Sequence, residues 1–123
     1  MSAVVPAVLV LVAVIHLLPL VGVLGAARLE ALYGVRVDGP DLSILLRHRA
    51  VLFGLLGAGL LLAAVRPELH AAGLVAGTVS VVSFLVLARL EPGANARIRR
   101  VVAVDVVALV LLVVGAVVHV ATA

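Results

Sequence analysis

The 123-residue chain is 66% hydrophobic, carries a formal net charge of +3 and contains no cysteine. An apolar share so far above the roughly 45–50% of water-soluble domains excludes that class, and the missing cysteines exclude disulfides, thiolate ligands and thiol catalysis. All nine basic residues are arginines at the ends of apolar stretches, which leaves no soluble basic surface for nucleic acid.

Apolar stretches at about 4–26, 42–65, 68–90 and 98–120 fill the chain. Each reaches the roughly 20 residues that a spanning helix needs. Runs such as Val51–Val65 are continuous rather than alternating, which argues against a transmembrane β-barrel. The expected fold is all-α: an integral membrane four-helix bundle, antiparallel, with residues 1–123 forming one domain. Met1-Ser2-Ala3 offers no positive segment ahead of the first stretch, so that stretch reads as a span and not as a cleaved signal.

Within the first stretch His16 lies near mid-membrane, three residues before Pro19. The proline frees the carbonyl of Ile15 and is expected to disturb the helix. Ser80 and Thr78 of the third stretch fall at a similar depth, and a neutral His16 bonded to Ser80 is the simplest way to satisfy the ring. Beyond the first stretch, Leu29, Leu32 and Tyr33 have helical spacing, which suggests that the first helix continues along the interface until Gly34 ends it. Asp38-Gly39-Pro40-Asp41 reads as a turn that starts the second span.

Just inside the second stretch lies Arg47-His48-Arg49. Arg47 and Arg49 point about 200° apart on a helix. Arg47 shares a face with Gly54 and Ala58 and is expected to point inward. Arg49 aligns with Phe53, Leu56 and Leu60 and is expected to snorkel to headgroups. Arg66-Pro67-Glu68 is a minimal connection, with proline suited to a first helical turn. The third stretch carries Gly73 and Gly77, with Ala76, Ser80 and Ser83 on the same side, a seam that lets backbones approach within a bundle or between copies. Glu91-Pro92-Gly93-Ala94-Asn95 breaks the chain, and Asn95 is placed to cap the fourth span. That span aligns Val101, Asp105, Ala108, Leu112, Ala116 and His119 on one face.

Arg28, Arg36, Arg47 and Arg49 surround the first loop; Arg89, Arg97, Arg99 and Arg100 surround the third. The opposite side offers only Arg66. The positive-inside rule then puts these two loops in the cytoplasm and both termini outside, in the bacterial inner membrane, with Arg49, Arg97, Arg99 and Arg100 as cytoplasmic anchors. Asp105 is the one acid well inside a span. It falls roughly 6 Å on the cytoplasmic side of the midplane, with Ser83 at similar depth and Arg47 a little lower. A charge there needs a partner. The expected cluster is Arg47, His48, Ser83 and Asp105, either a salt bridge or a ligand site, with His16 and Ser80 as a separate midplane pair. His70 and His119 lie at the outer ends but lack the spacing of a metal site, so neither metal nor cofactor is expected.

His16-Leu17-Leu18-Pro19, Leu32-Tyr33-Gly34-Val35, the run Leu45-Leu46-Arg47-His48-Arg49-Ala50-Val51-Leu52-Phe53-Gly54, Ser80-Val81-Val82-Ser83-Phe84, Asn95 and Ile98-Arg99-Arg100-Val101 together resemble a family of small bacterial four-span membrane proteins. More distantly, the layout is similar to DoxX-like four-helix membrane proteins. Some members of the closer family are labelled phosphopantetheine adenylyltransferase, but this chain has no HxGH motif, no P-loop and no expected parallel sheet. The resemblance implies the fold and no activity. The functional expectation is a non-enzymatic module that binds an amphipathic lipid or quinone-like ligand, or that supports a membrane complex as a homo-oligomer or with another membrane protein. The alternative is an oligomeric proton or small-solute transporter using Asp105 and His16. No nucleophile–base–orienter set suggests catalysis.

Overall fold

A computed structural model describes residues 3–123; Met1 and Ser2, which precede the first stretch, lie outside the described residues. Five helices follow one another: α1 (Val4–Leu17), α2 (Ala26–Tyr33), α3 (Gly39–Val65), α4 (His70–Leu90) and α5 (Ala96–Ala121). A 3-10 segment, Leu18–Leu24, continues α1, and a single 3-10 turn, Pro67–Leu69, leads into α4. Four of the resulting rods, Val4–Leu24, Gly39–Val65, Pro67–Leu90 and Ala96–Ala121, are long and apolar enough to cross a membrane. No strand occurs among the described residues.

The boundaries follow local chemistry. Pro19 has no N–H for the Ile15 carbonyl, and regular α-helix stops two residues earlier, at Leu17. The first helix does not continue into the loop as the spacing suggests. Gly25, at φ 133°, turns the chain, and α2 starts afresh. Leu29 of α2 is fully buried over Gly22, where an added Cβ would come within 2.7 Å of it. Gly34 ends α2 as expected: at φ 64° its N–H reaches the Glu30 carbonyl at 2.8 Å. Asn95 Oδ1 accepts the Ile98 N–H at 2.9 Å and caps α5. Arg66 and Glu68 flank the tight turn in an exposed ion pair of 3.8 Å.

α1 is the central helix and touches α3, α4 and α5. Val5, Val8, Leu9, Val12 and Ala13 are all at most 4% exposed. Around them glycines admit the neighbours. A Cβ at Gly57 would lie 2.7 Å from Leu17, one at Gly73 2.8 Å from Ala63, and one at Gly115 3.1 Å from both Leu74 and Val8. Lipid gives no hydrophobic drive to associate, so such close approach and the dispersion contacts it permits hold the helices together.

The expected faces are confirmed in part. On α5, Ala108 and Leu112 are buried, while Val101, Asp105, Ala116 and His119 are half-buried. On α4, Gly73 and Gly77 are buried within the chain itself, against α3, α1 and α5. Ala76 and Ser83, which the spacing places on the same side, are exposed. On α3 the expectation holds only at Gly54, where an added Cβ would lie 2.7 Å from Leu20. Ala58 and Arg47 face outward, and the interior side is Ala50, Gly57, Leu60, Ala63 and Ala64.

Candidate functional site

The rotation of α3 decides the site. Arg47 is exposed, and its Nε donates to the Val23 carbonyl at 2.8 Å, tying α3 to the 3-10 segment. It forms no ion pair with Asp105, contrary to expectation. Arg49 takes the inward position instead. Its guanidinium donates to the Tyr33 hydroxyl at 2.6 Å and lies 4.5 Å from the Phe53 ring centre, 5.1 Å from Tyr33 and 6.0 Å from Phe84. The chain has two phenylalanines and one tyrosine, and all three surround this one arginine. Such contacts contribute roughly 0.5–2 kcal/mol each, depending on desolvation. The bulky face of α3 therefore marks the interior, and the snorkelling expectation for Arg49 fails.

Beside Arg49 is a cavity of about 280 Å³. This is near the lower end of the roughly 300–1,000 Å³ typical of small-molecule sites. Every helix contributes to its walls: Ile15 and His16 from α1, Leu32 and Tyr33 from α2, Arg49 and Phe53 from α3, Phe84 from α4, and Val101, Val104 and Asp105 from α5. Leu18 and Pro19 of the 3-10 segment complete the apolar surface. Arg97 and Arg100, expected only as anchors, line it as well. Leu18 is 60% exposed and Val104 38%, so the wall they form reaches the molecular surface.

Of the expected cluster Arg47, His48, Ser83 and Asp105, only Asp105 reaches the cavity. His48 is exposed, and Ser83 turns back to donate to the Ser80 carbonyl at 2.9 Å. Asp105 is half-buried and shares the cavity wall with Arg49. Arg99 lies outside the cavity and donates to Ala94 O at 2.8 Å.

The midplane pair forms as expected. His16 is 3% exposed; its Nδ1 donates to Val12 O at 2.8 Å, and the Ser80 hydroxyl donates to Nε2 at 2.8 Å. That pattern describes a neutral imidazole with both nitrogens satisfied. Thr78 takes no part and donates to Leu74 O. Ser80→Ala should cost about 1–3 kcal/mol, because it leaves a buried acceptor without a donor. His16→Leu should cost less, since the Ser80 hydroxyl can turn to its own helix backbone. Unfolding of both variants in detergent would check this order.

The third loop holds α2 over the cavity. Asn95 Nδ2 donates to Tyr33 O at 2.8 Å and Gly34 O at 3.2 Å, and Arg97 donates to Ala31 O. The cap at Asn95 is readable from sequence, but its second role is not, since the partner carbonyls lie about 60 residues away. At the other end, His70 Nε2 donates to Ala64 O at 3.3 Å. Among the described residues no three His, Cys, Asp or Glu side chains converge as metal ligands would.

Fold and site together define an all-helical protein with four helices of membrane-spanning length around a cavity that is apolar-walled and arginine-lined. No protein family, curated protein or solved structure matches the chain.

Proposed function

We propose that this is a small integral membrane module that holds an amphipathic ligand. The polar head sits among Arg49, Arg97 and Arg100, and the apolar part follows Leu18, Phe53, Phe84 and Val104 toward the molecular surface. The observation that carries this reading is the cavity itself, in which cationic side chains and apolar walls meet beside the exposed Leu18 and Val104.

The arginine-rich end faces the cytoplasm of a bacterial inner membrane, and both termini face out, following the positive-inside rule. An antiparallel order is supported by the seams: Gly54 meets Leu20, Gly73 meets Ala63 and Leu9, and Gly115 meets Val8 and Leu74. The chain's place beside the small bacterial four-span proteins is part of the same proposal.

A proton path through Asp105 and His16 fits less well. Both line the cavity, but beyond it the core is Val8, Leu9, Val12, Leu74 and Leu112, and His16 is the sole buried polar residue among those described.

Native mass spectrometry of protein extracted in mild detergent tests the reading. A lipid-sized adduct retained by wild type and by Arg47→Ala, but lost from Arg49→Ala, is the expected result. A bare wild-type protein under conditions that keep it folded would overturn the proposal.

A further inference from the structure

The charge on the cavity wall narrows the ligand further, on the premise that the cavity holds an amphiphile. Three arginines line it against one aspartate, a surplus of two positive charges. None of these four charged groups has an ion-pair partner within 4.0 Å among the described residues; the two ion pairs that occur, Arg36–Asp38 and Arg66–Glu68, lie elsewhere. Hydrogen bonding does not exhaust them either. Arg49 gives one donor to Tyr33 and Arg97 one to Ala31, of five available to each guanidinium. The Arg100 side chain makes no hydrogen bond among the described residues, so its whole fork is free to turn toward a ligand.

Unpaired charge at the edge of a bilayer attracts a counter-charge strongly, because the low-dielectric surroundings screen it poorly. The counter-charge that fits is defined by number and geometry. A quinone or an alcohol head brings none. A carboxylate or sulfate brings one negative charge. A phosphomonoester brings close to two near neutral pH, with oxygens that planar guanidinium forks grip in pairs. Arg49 is already held in place by its three rings, so little side-chain entropy is lost when it binds.

We infer that the cavity selects a single-chain amphiphile with a phosphomonoester head, held by Arg49, Arg97 and Arg100, whose chain leaves past Leu18 and Val104. One chain suffices, because the cavity is small and its Leu18 and Val104 wall reaches the surface, where the rest of a chain would lie in lipid.

The test uses the full chain in a neutral maltoside detergent at pH 8, with decyl phosphate, decyl sulfate, decanol and inorganic phosphate as probes for calorimetric titration. Decyl phosphate is expected to bind at least about tenfold tighter than decyl sulfate, and inorganic phosphate far more weakly than either. Arg100→Gln, at an exposed and unpaired position, should reduce the phosphate preference to about threefold or less. Arg66→Gln at the opposite end should leave it unchanged. Equal affinity for phosphate and sulfate, or for decanol, would overturn the head-group assignment while leaving amphiphile binding standing. Inorganic phosphate binding as tightly as decyl phosphate would uphold the head group and overturn the amphiphile. No binding by any probe would remove both.

Discussion

Replacing Gly73 with valine is expected to destabilise the protein by about 3 kcal/mol, the upper part of the range for overpacked interiors. The Cβ alone would lie 2.8 Å from the Ala63 Cβ and 3.1 Å from Leu9 Cδ2. Ala63 is 3% exposed and its Cβ is fixed to the backbone of α3, so no change of rotamer relieves the clash. Leu9 is fully buried and cannot swing out. Helices α3 and α4 must then separate, and the dispersion contacts along the seam are lost with them. Gly59→Val is the matched control. Nothing lies within 4 Å of a Cβ at Gly59, so this variant should be neutral or slightly stabilising through helix propensity. Denaturant titration of both variants in detergent separates the two cases. Equal losses would show that the effect comes from changing a helical glycine and not from the seam. A change in oligomeric state with stability unaltered would show that Gly73 faces another copy.

Arg49→Ala is expected to have the second-largest effect, about 2–3 kcal/mol of stability together with loss of the retained ligand. The substitution removes a charge-assisted hydrogen bond to Tyr33, worth about 1.5–3 kcal/mol. It also removes cation–π contacts to three rings, which are not additive with that bond because they share one guanidinium. Asp105 would then line the cavity without the cation whose field now reaches it. The double variant Arg49→Ala/Asp105→Asn should accordingly recover part of the lost stability, measured by thermal unfolding, but none of the ligand binding. Recovery of neither would mean that Arg49 acts through packing alone. Arg49→Lys should retain some stability and little binding, because an ammonium keeps the charge without the planar fork.

The two residues that dominate these expectations were not equally visible. The importance of Gly73 follows from a small residue repeated at Gly77 on an apolar helix, a pattern that needs no partner to be recognised. Arg49 lies on the opposite side from the one that spacing suggests. Small residues on the Gly54–Ala58 face pointed to that face as the inner one, whereas α1 packs on α3 through a single glycine, Gly57, with bulky Leu60 beside it. Phe53, one turn beyond Arg49, was the available hint, since an aromatic ring four residues away on a helix lies within reach of a guanidinium.

Features that depend on near neighbours in the chain are legible without a structure. They include four rods of spanning length, the stops at Gly34 and near Pro19, the cap at Asn95 and the short turn at Pro67; the His16–Ser80 pair, 64 residues apart in the chain, follows from matching positions along two such rods. Packing between helices sets which way α3 turns, folds α2 back over Gly22, and lets Asn95 and Arg97 pin α2 above a cavity. The reason is the solvent. In water a helix declares its buried face by polarity, but in lipid the outer and inner faces are both apolar, so periodicity loses its sign. Inside and outside are then set by shape, by which leucine fits beside which glycine, and shape is a property of the assembled helices.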